Sequence, residues 1–176
     1  LSLGVILIFV VVAALTPWLA PHNPYRWNLP QSYLPPAWVQ DVPTPGSPDF
    51  LLGTDYYGRD ILSRLIYGTR TGFLLAVTAV SITALIGTLL GLVAGYLGGK
   101  ADTLINFLIE LFQSVPGLMF MVMIALIFRY TLKPNWFNGF ITLVIGFSAV
   151  GWVSLARLVR VSVQQLKAQL FVEAAV

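Results

Sequence analysis

Two Asp and three Arg fall within residues 51–70, LLGTDYYGRDILSRLIYGTR, while the chain around them is nearly bare of charge. Asp55 and Asp60 are candidates for an acid and base pair, which would need a nucleophile, a histidine or a metal within hydrogen-bond reach. His22 is far off in sequence, and no metal-ligating cluster accompanies the two acids. The spacing favours structure over chemistry. Asp55–Arg59 and Asp60–Arg64 are both i,i+4 pairs with the acid N-terminal, the better orientation on a helix. Gly53 and Thr54 read as a turn, Asp55 as the N-cap of the helix that follows, and Ile61, Leu62, Leu65 and Ile66 as its apolar face. Gly53, Thr54, Asp55, Gly58, Arg59, Asp60 and Arg64 then make an elbow, a short amphipathic helix at a membrane interface.

Two other acids stand in GGKADTLINFLIELFQSVPG: Asp102 at its start and Glu110 two turns deeper. An acid inside a membrane is costly and turns to protein or water. No basic residue sits three or four positions from Glu110, so any partner comes from another helix; a protonated Glu in the bundle and a water-facing one are both open. Pro116 should kink this segment. At the end of the chain, Arg157 and Arg160 mark the exit of an apolar run. Leu166, Leu170 and Phe171 then form an apolar edge before Glu173 and the small pair Ala174 and Ala175. That is either a fraying helix end or a surface that another protein can approach closely.

The elements that must position these residues are written in the composition. The 176 residues are 57% hydrophobic and 10% charged, with mean hydropathy +0.83, where a soluble domain carries about 25% charged residues. Such a chain needs a lipid bilayer as its solvent. With no Cys, disulfides and thiolate metal sites are excluded. The net charge of +3 is scattered, with no Lys/Arg run of the kind that binds nucleic acid. Four apolar runs, 1–20, 71–99, 103–128 and 135–156, are long enough for spanning helices. They are too long, and lack the alternation, for barrel strands. Residues 17–48 hold nine of the 11 prolines with Trp18, Trp27 and Trp38. This predicts a partly ordered aqueous loop beside the interface. Ala79, Thr83, Gly87, Gly91, Gly95 and Gly99 recur every fourth residue, a smooth stripe for close helix approach; it serves either bundle packing or a sliding surface or pathway wall. Residues 1–20 lack the basic start of a signal peptide, and the chain reads as part of a longer protein. If the Pro-rich loop is external, six basic residues lie outside and four inside, so the positive-inside rule gives no orientation.

The succession LLGTDYYGRDILSRLIYGTR, GLVAGYLGGKADTL, QSVPG, GWVSLARLVR and FVEAA resembles the inner-membrane permease subunits of binding-protein-dependent ABC importers. It is most similar to the C-type permease of the dipeptide, oligopeptide and nickel group. The resemblance implies an all-α, multi-pass protein of a bacterial or archaeal plasma membrane, a type I importer helix bundle. Its expected parts are a span at 1–20, an external Pro/Trp-rich loop at 21–52, an external elbow at 53–70 and spans at 71–97, 103–128 and 135–157. The start of a cytoplasmic coupling loop follows at 158–176. Leu170, Phe171, Val172, Glu173, Ala174 and Ala175 match the start of the motif that docks on the ATPase. Gly87, Gly91, Gly95, Gly99, Glu110 and Pro116 are expected in helix packing or the pathway. The implied partners are a second homologous permease, ATPase subunits inside and a substrate-binding protein outside. No cofactor is implied, and ATP hydrolysis belongs to the partner. Departures from the family pattern are Phe50 in place of His, Phe107 in place of a basic residue, uncharged Ala168, Gln169 and Leu170, and Val176 in place of a basic residue. The rivals are an unrelated channel or structural membrane protein, and an intramembrane enzyme, for which Asp102, Glu110 and His22 supply no set of groups at one depth.

Overall fold

The computed structural model describes residues 2–131 and 135–168. Its described elements are helical: α1 (Ser2–Leu19), a short 3-10 turn at Leu29–Gln31, α2 (Ile61–Leu97), α3 (Gly99–Ser114), α4 (Gly117–Thr131) and α5 (Trp136–Lys167). The chain divides into two compact units, Leu1–Leu74 and Leu75–Val176.

In the first unit α1 is apolar all round, with Leu3, Ile6, Ile8 and Phe9 more than half exposed, as a helix solvated by lipid would be. Pro17 sits in its last turn and cannot donate to the Ala13 carbonyl, which instead accepts the Thr16 hydroxyl at 3.2 Å. The Pro-rich loop is ordered by backbone bonds to the elbow: Asn28 N–H donates to Tyr57 O (2.9 Å), Thr54 N–H to Leu34 O (3.0 Å) and Ala37 N–H to Leu51 O (3.1 Å). Gly58 has φ +69°, and a Cβ there would lie 1.8 Å from Asn28 O, so only glycine lets the two strands of loop meet. Trp27 stacks on Tyr57 with ring centroids 4.9 Å apart.

The elbow differs from expectation. No separate interfacial helix occupies 53–70. Residues 53–60 form a tight hydrogen-bonded turn, closed by an isolated antiparallel bridge between Thr54 and Asp60, and α2 then runs unbroken for 37 residues. That is about 55 Å, against a hydrocarbon core of about 30 Å. Nothing between Ile61 and Leu97 is proline, so no residue stops the helix where lipid ends.

In the second unit the expected third span, 103–128, is two helices bent by 84°. The break has a local cause. The residue before proline is pushed out of helical geometry, and Val115 is extended at φ −100°, ψ 129°. Pro116 then stands just before α4, its carbonyl accepting Met119 N–H at 2.8 Å and Phe120 N–H at 3.2 Å. Helix α5 passes straight through Arg157 and Arg160 to Lys167, so the segment from 158 begins as helix, not loop. Among the described residues, two helices, α2 and α5, are long and apolar enough to cross a membrane, three segments if the bent pair counts as one, and α1 is a shorter apolar helix. Four uniform spans is therefore an approximation. Ala94, Ile105, Ile109, Trp152, Val153 and Ala156 form the core of the second unit, with Phe112 edge-on to Trp152 at 5.4 Å.

Candidate functional site

The charges of the elbow are paired half as the spacing predicted: the i,i+4 pair Asp55–Arg59 forms, and Arg64 joins Asp55 and not Asp60. Asp55 takes both arginines. Arg59 donates to its carboxylate from Nε at 2.8 Å, and Arg64 reaches the same oxygen. The Asp55 carboxylate also accepts the backbone N–H groups of Tyr57 (2.9 Å) and Arg59 (3.0 Å). Burial pushes the Asp55 carboxyl up, but the Arg59 side chain and these backbone donors outweigh it and hold the group below the usual carboxylate range. Asp55 thus closes the turn at 55–59 and is not the N-cap of α2.

Asp60 is that N-cap. Its carboxylate accepts Leu62 N–H at 3.2 Å and Ser63 N–H at 3.1 Å, the orphan donors at the second and third helical positions. It is buried with its side chain 1% exposed, makes no pair with Arg64, and has its own partners. The Ser63 hydroxyl donates to it at 2.6 Å, and His22 Nδ1 lies 3.4 Å away. His22, remote in sequence, is brought here because its backbone N–H also donates to Ser63 Oγ at 2.9 Å and its ring stacks on Phe50 at 5.0 Å. A Ser, a His and an Asp are therefore together, but not as a nucleophile with its base. The Ser63 proton goes to the carboxylate, the hydroxyl accepts a backbone N–H where an imidazole would have to sit, and Ser63 is wholly buried. Gly53 and Thr54 are buried in the same turn; Thr54 Oγ1 accepts Leu34 N–H at 2.9 Å and donates to Gln31 O. An open depression of about 410 Å³ lies beside it, lined among others by His22, Arg26, Trp27, Asp49 and Asp60.

In the second unit the small-residue stripe of α2 faces α5. A Cβ on Gly87 would lie 2.9 Å from Trp152 O, on Gly91 2.6 Å from Ala156 O, and on Gly95 2.7 Å from Val163 Cβ. Thr83 packs where Gly151 lacks a Cβ, and Ser148 Oγ donates to Ala79 O at 3.3 Å. Contacts advance together along both chains, so α2 and α5 lie side by side in the same direction. Gly99 leaves the stripe. It opens α3 at φ +52° with open space around it, because the α2–α3 turn intervenes. Glu110 is exposed and accepts Asn106 Nδ2 at 2.8 Å, one helical turn away on its own helix. Pro116 is exposed at the bend.

The end of α5 carries pairings that the sequence did not suggest. Arg160 reaches Asp102 with both arms of its guanidinium, one bond being 2.8 Å from the second amine. Arg157 donates to Gln113 Oε1 at 2.6 Å, and Lys167 Nζ donates to Tyr96 O at 3.0 Å. Each joins residues 44 to 71 positions apart, beyond any local spacing rule. Leu170, Phe171, Val172, Glu173, Ala174 and Ala175 lie outside the described residues.

The same stretch, from Gly87 through the seam, the bend and α5, is where a family model matches: binding-protein-dependent transport system inner membrane component, over residues 87–176. That is just over half of the chain. The chain belongs to this family. A second model, the N-terminal transmembrane domain of oligopeptide transport permease C, matches residues 1–36 of this permease segment. The dipeptide transport system permease protein DppC of Haemophilus influenzae is 38% identical over 152 residues, covering 86% of the chain and 48% of that protein. DppC of Bacillus subtilis is 34% identical, covering 94% of the chain and 46% of the relative. The oligopeptide transport system permease protein OppC of H. influenzae is 32% identical, covering 99% and 50%. The permease segment thus spans about half the length of these relatives. It is a multi-pass inner-membrane component.

Proposed function

We propose that the chain is the N-terminal half of a C-type permease subunit of an ATP-driven importer of dipeptides or oligopeptides. It would form, with a second homologous permease, the path through the membrane. The observation that carries this is the family match over 87–176 joined to relatives named for dipeptide and oligopeptide transport. In this reading the Pro/Trp-rich loop and the elbow face outward, where a soluble binding protein delivers peptide. The segment after α5 faces the cytoplasm, where Leu170 to Ala175 engage an ATPase subunit. The permease contributes no covalent chemistry. Its work is to turn a rigid-body displacement into alternating access, which requires a bundle with two stable packings.

The geometry supports such a transmission. Helix α5 is one unbroken rod of 32 residues that precedes Glu173 in the sequence, and its Leu155, Val159 and Val163 pack directly on the glycines of α2. A push on the last turn of α5 is thereby delivered along the seam. The test is Glu173→Ala in the full-length subunit of the assembled complex. Stimulation of ATP hydrolysis by peptide-loaded binding protein should fall by about tenfold or more, the size of losing one charge-assisted contact. Unchanged stimulation and unchanged peptide uptake would refute the coupling role.

A further inference from the structure

The end of α5 holds the α2–α3 turn from both sides. Gly98 and Gly99 form that turn with φ +65° and +52°. At Gly98 this is paired with ψ −159°, a region open essentially to glycine alone. The backbone braces the turn through Gly98 N–H to Ala94 O at 3.1 Å and Asp102 N–H to Gly98 O at 3.2 Å, but no neighbouring side chain packs within 4 Å of where either Cβ would be. Its further bracing comes from side chains of α5. Before the turn, Tyr96 O in the last turn of α2 accepts Lys167 Nζ, whose ammonium also lies 5.7 Å from the Tyr96 ring centroid. After the turn, Asp102 in the first turn of α3 takes the two-armed bond from Arg160. Arg160 and Asp102 are each only about one-fifth exposed, and a planar guanidinium matched to a carboxylate fixes orientation as well as distance. Further along α3, Gln113 accepts Arg157. Three basic residues on one helix thus span the glycine turn and the whole of α3, ending at the 84° bend.

We propose that Arg160 is a positioning residue for coupling. Through Asp102, and with Lys167 at Tyr96 O, it locks the glycine turn to α5, so that the end of α2, all of α3 and the end of α5 move as one body. The compliant point is then the Val115–Pro116 bend, beyond the clamp. The inference rests on the coupling role proposed for the segment after α5, but it assigns a different residue set with a different signature. Loss of the clamp lets the turn flex while the ATPase still docks, so hydrolysis continues and transport per ATP falls.

The experiment uses the full-length subunit in the assembled importer, reconstituted in lipid vesicles, and reads peptide uptake per ATP hydrolysed. Asp102→Asn and Arg160→Gln should each lower that ratio by about tenfold, the scale of one charge-assisted pair, with ATP hydrolysis still stimulated by the binding protein. Arg160→Lys, which keeps the charge and loses the fork, should fall in between. The exchange Asp102→Arg with Arg160→Asp should recover the ratio to within about twofold. An unaltered ratio in the assembled single variants would overturn the clamp. So would an exchange variant no better than the singles, including the case in which the singles fail to assemble and the exchange does not restore assembly. Glu173→Ala, run in parallel, separates the two ideas. If it abolishes stimulation while the clamp variants leave the ratio intact, the clamp alone is wrong. If it leaves stimulation unchanged, the coupling reading itself is wrong.

Discussion

At the scale of single residues, the four charges of the elbow have unequal roles. Asp60 is buried and caps α2, so Asp60→Ala should cost about 1–2 kcal/mol through the lost cap. Arg64→Ala removes one arm of an exposed ion pair and should cost no more than about 1 kcal/mol. Thermal unfolding of the solubilised full-length subunit orders the two; an Arg64 effect equal to that of Asp60 would contradict the assignment. The pairing also rules out one exchange. Reversing Asp60 and Arg64 cannot restore a contact, because those two do not meet. Asp55 further predicts an acid response. Its carboxyl titrates below the usual range in the folded loop, so the stabilisation is fully present above the unfolded value of about 3.9 and is lost as pH falls through the lower folded value. The protection of the Tyr57 and Arg59 amides, relative to their intrinsic exchange rates, should fall over that window, and Asp55→Asn should abolish that fall.

At the scale of elements, the glycines divide into those that a helix uses and those that it tolerates. Gly91 meets the Ala156 carbonyl and Val159 where a Cβ would go. Gly91→Val should therefore force α2 and α5 apart, lowering the melting temperature of the subunit and impairing its assembly. Gly72, in the same helix, has open space on its Cβ side, and Gly72→Ala should be neutral or stabilise by up to about 1 kcal/mol. Equal outcomes at the two sites would mean that the seam does not depend on close approach. The regular spacing of the stripe was legible because helical period is a local property. Which helix it faces was not, since any apolar helix could have filled the groove. The kink at Pro116 was equally legible, but its size was not. Proline removes one hydrogen bond and disfavours helix at Val115; how far the two halves then swing depends on what each packs against.

At the scale of the whole molecule, the proposed orientation is open to a direct test, because these 176 residues contain no cysteine. Asp49→Cys in the Pro/Trp-rich loop should react with a membrane-impermeant maleimide added to intact cells. Lys100→Cys at the α2–α3 turn should react only after the inner face is exposed. The reverse pattern would invert the topology. The basic residues could not decide this, since six and four on the two sides point the wrong way. Several of them now have protein partners: Arg59 and Arg64 serve Asp55, while Arg157, Arg160 and Lys167 bind groups on α3 and α2.

The sequence by itself determined the class and the family. Hydropathy, helical period, proline position and ordered motifs are properties of neighbouring residues, and they survive in any arrangement of the chain. It also marked the elbow as structural, since its acids had arginines one turn away. Only the tertiary structure decided the remaining partners. Asp55 kept Arg59, as the spacing predicted, and added Arg64, Asp60 became a buried cap joined to His22, and Arg160 crossed 58 positions to Asp102. A charged side chain in a sparsely charged protein pairs with whatever ion the packing brings within reach, because leaving it unpaired away from water costs several kcal/mol. For Arg160 that choice is set by the register of α5 against α3, and register is a property of the packed bundle.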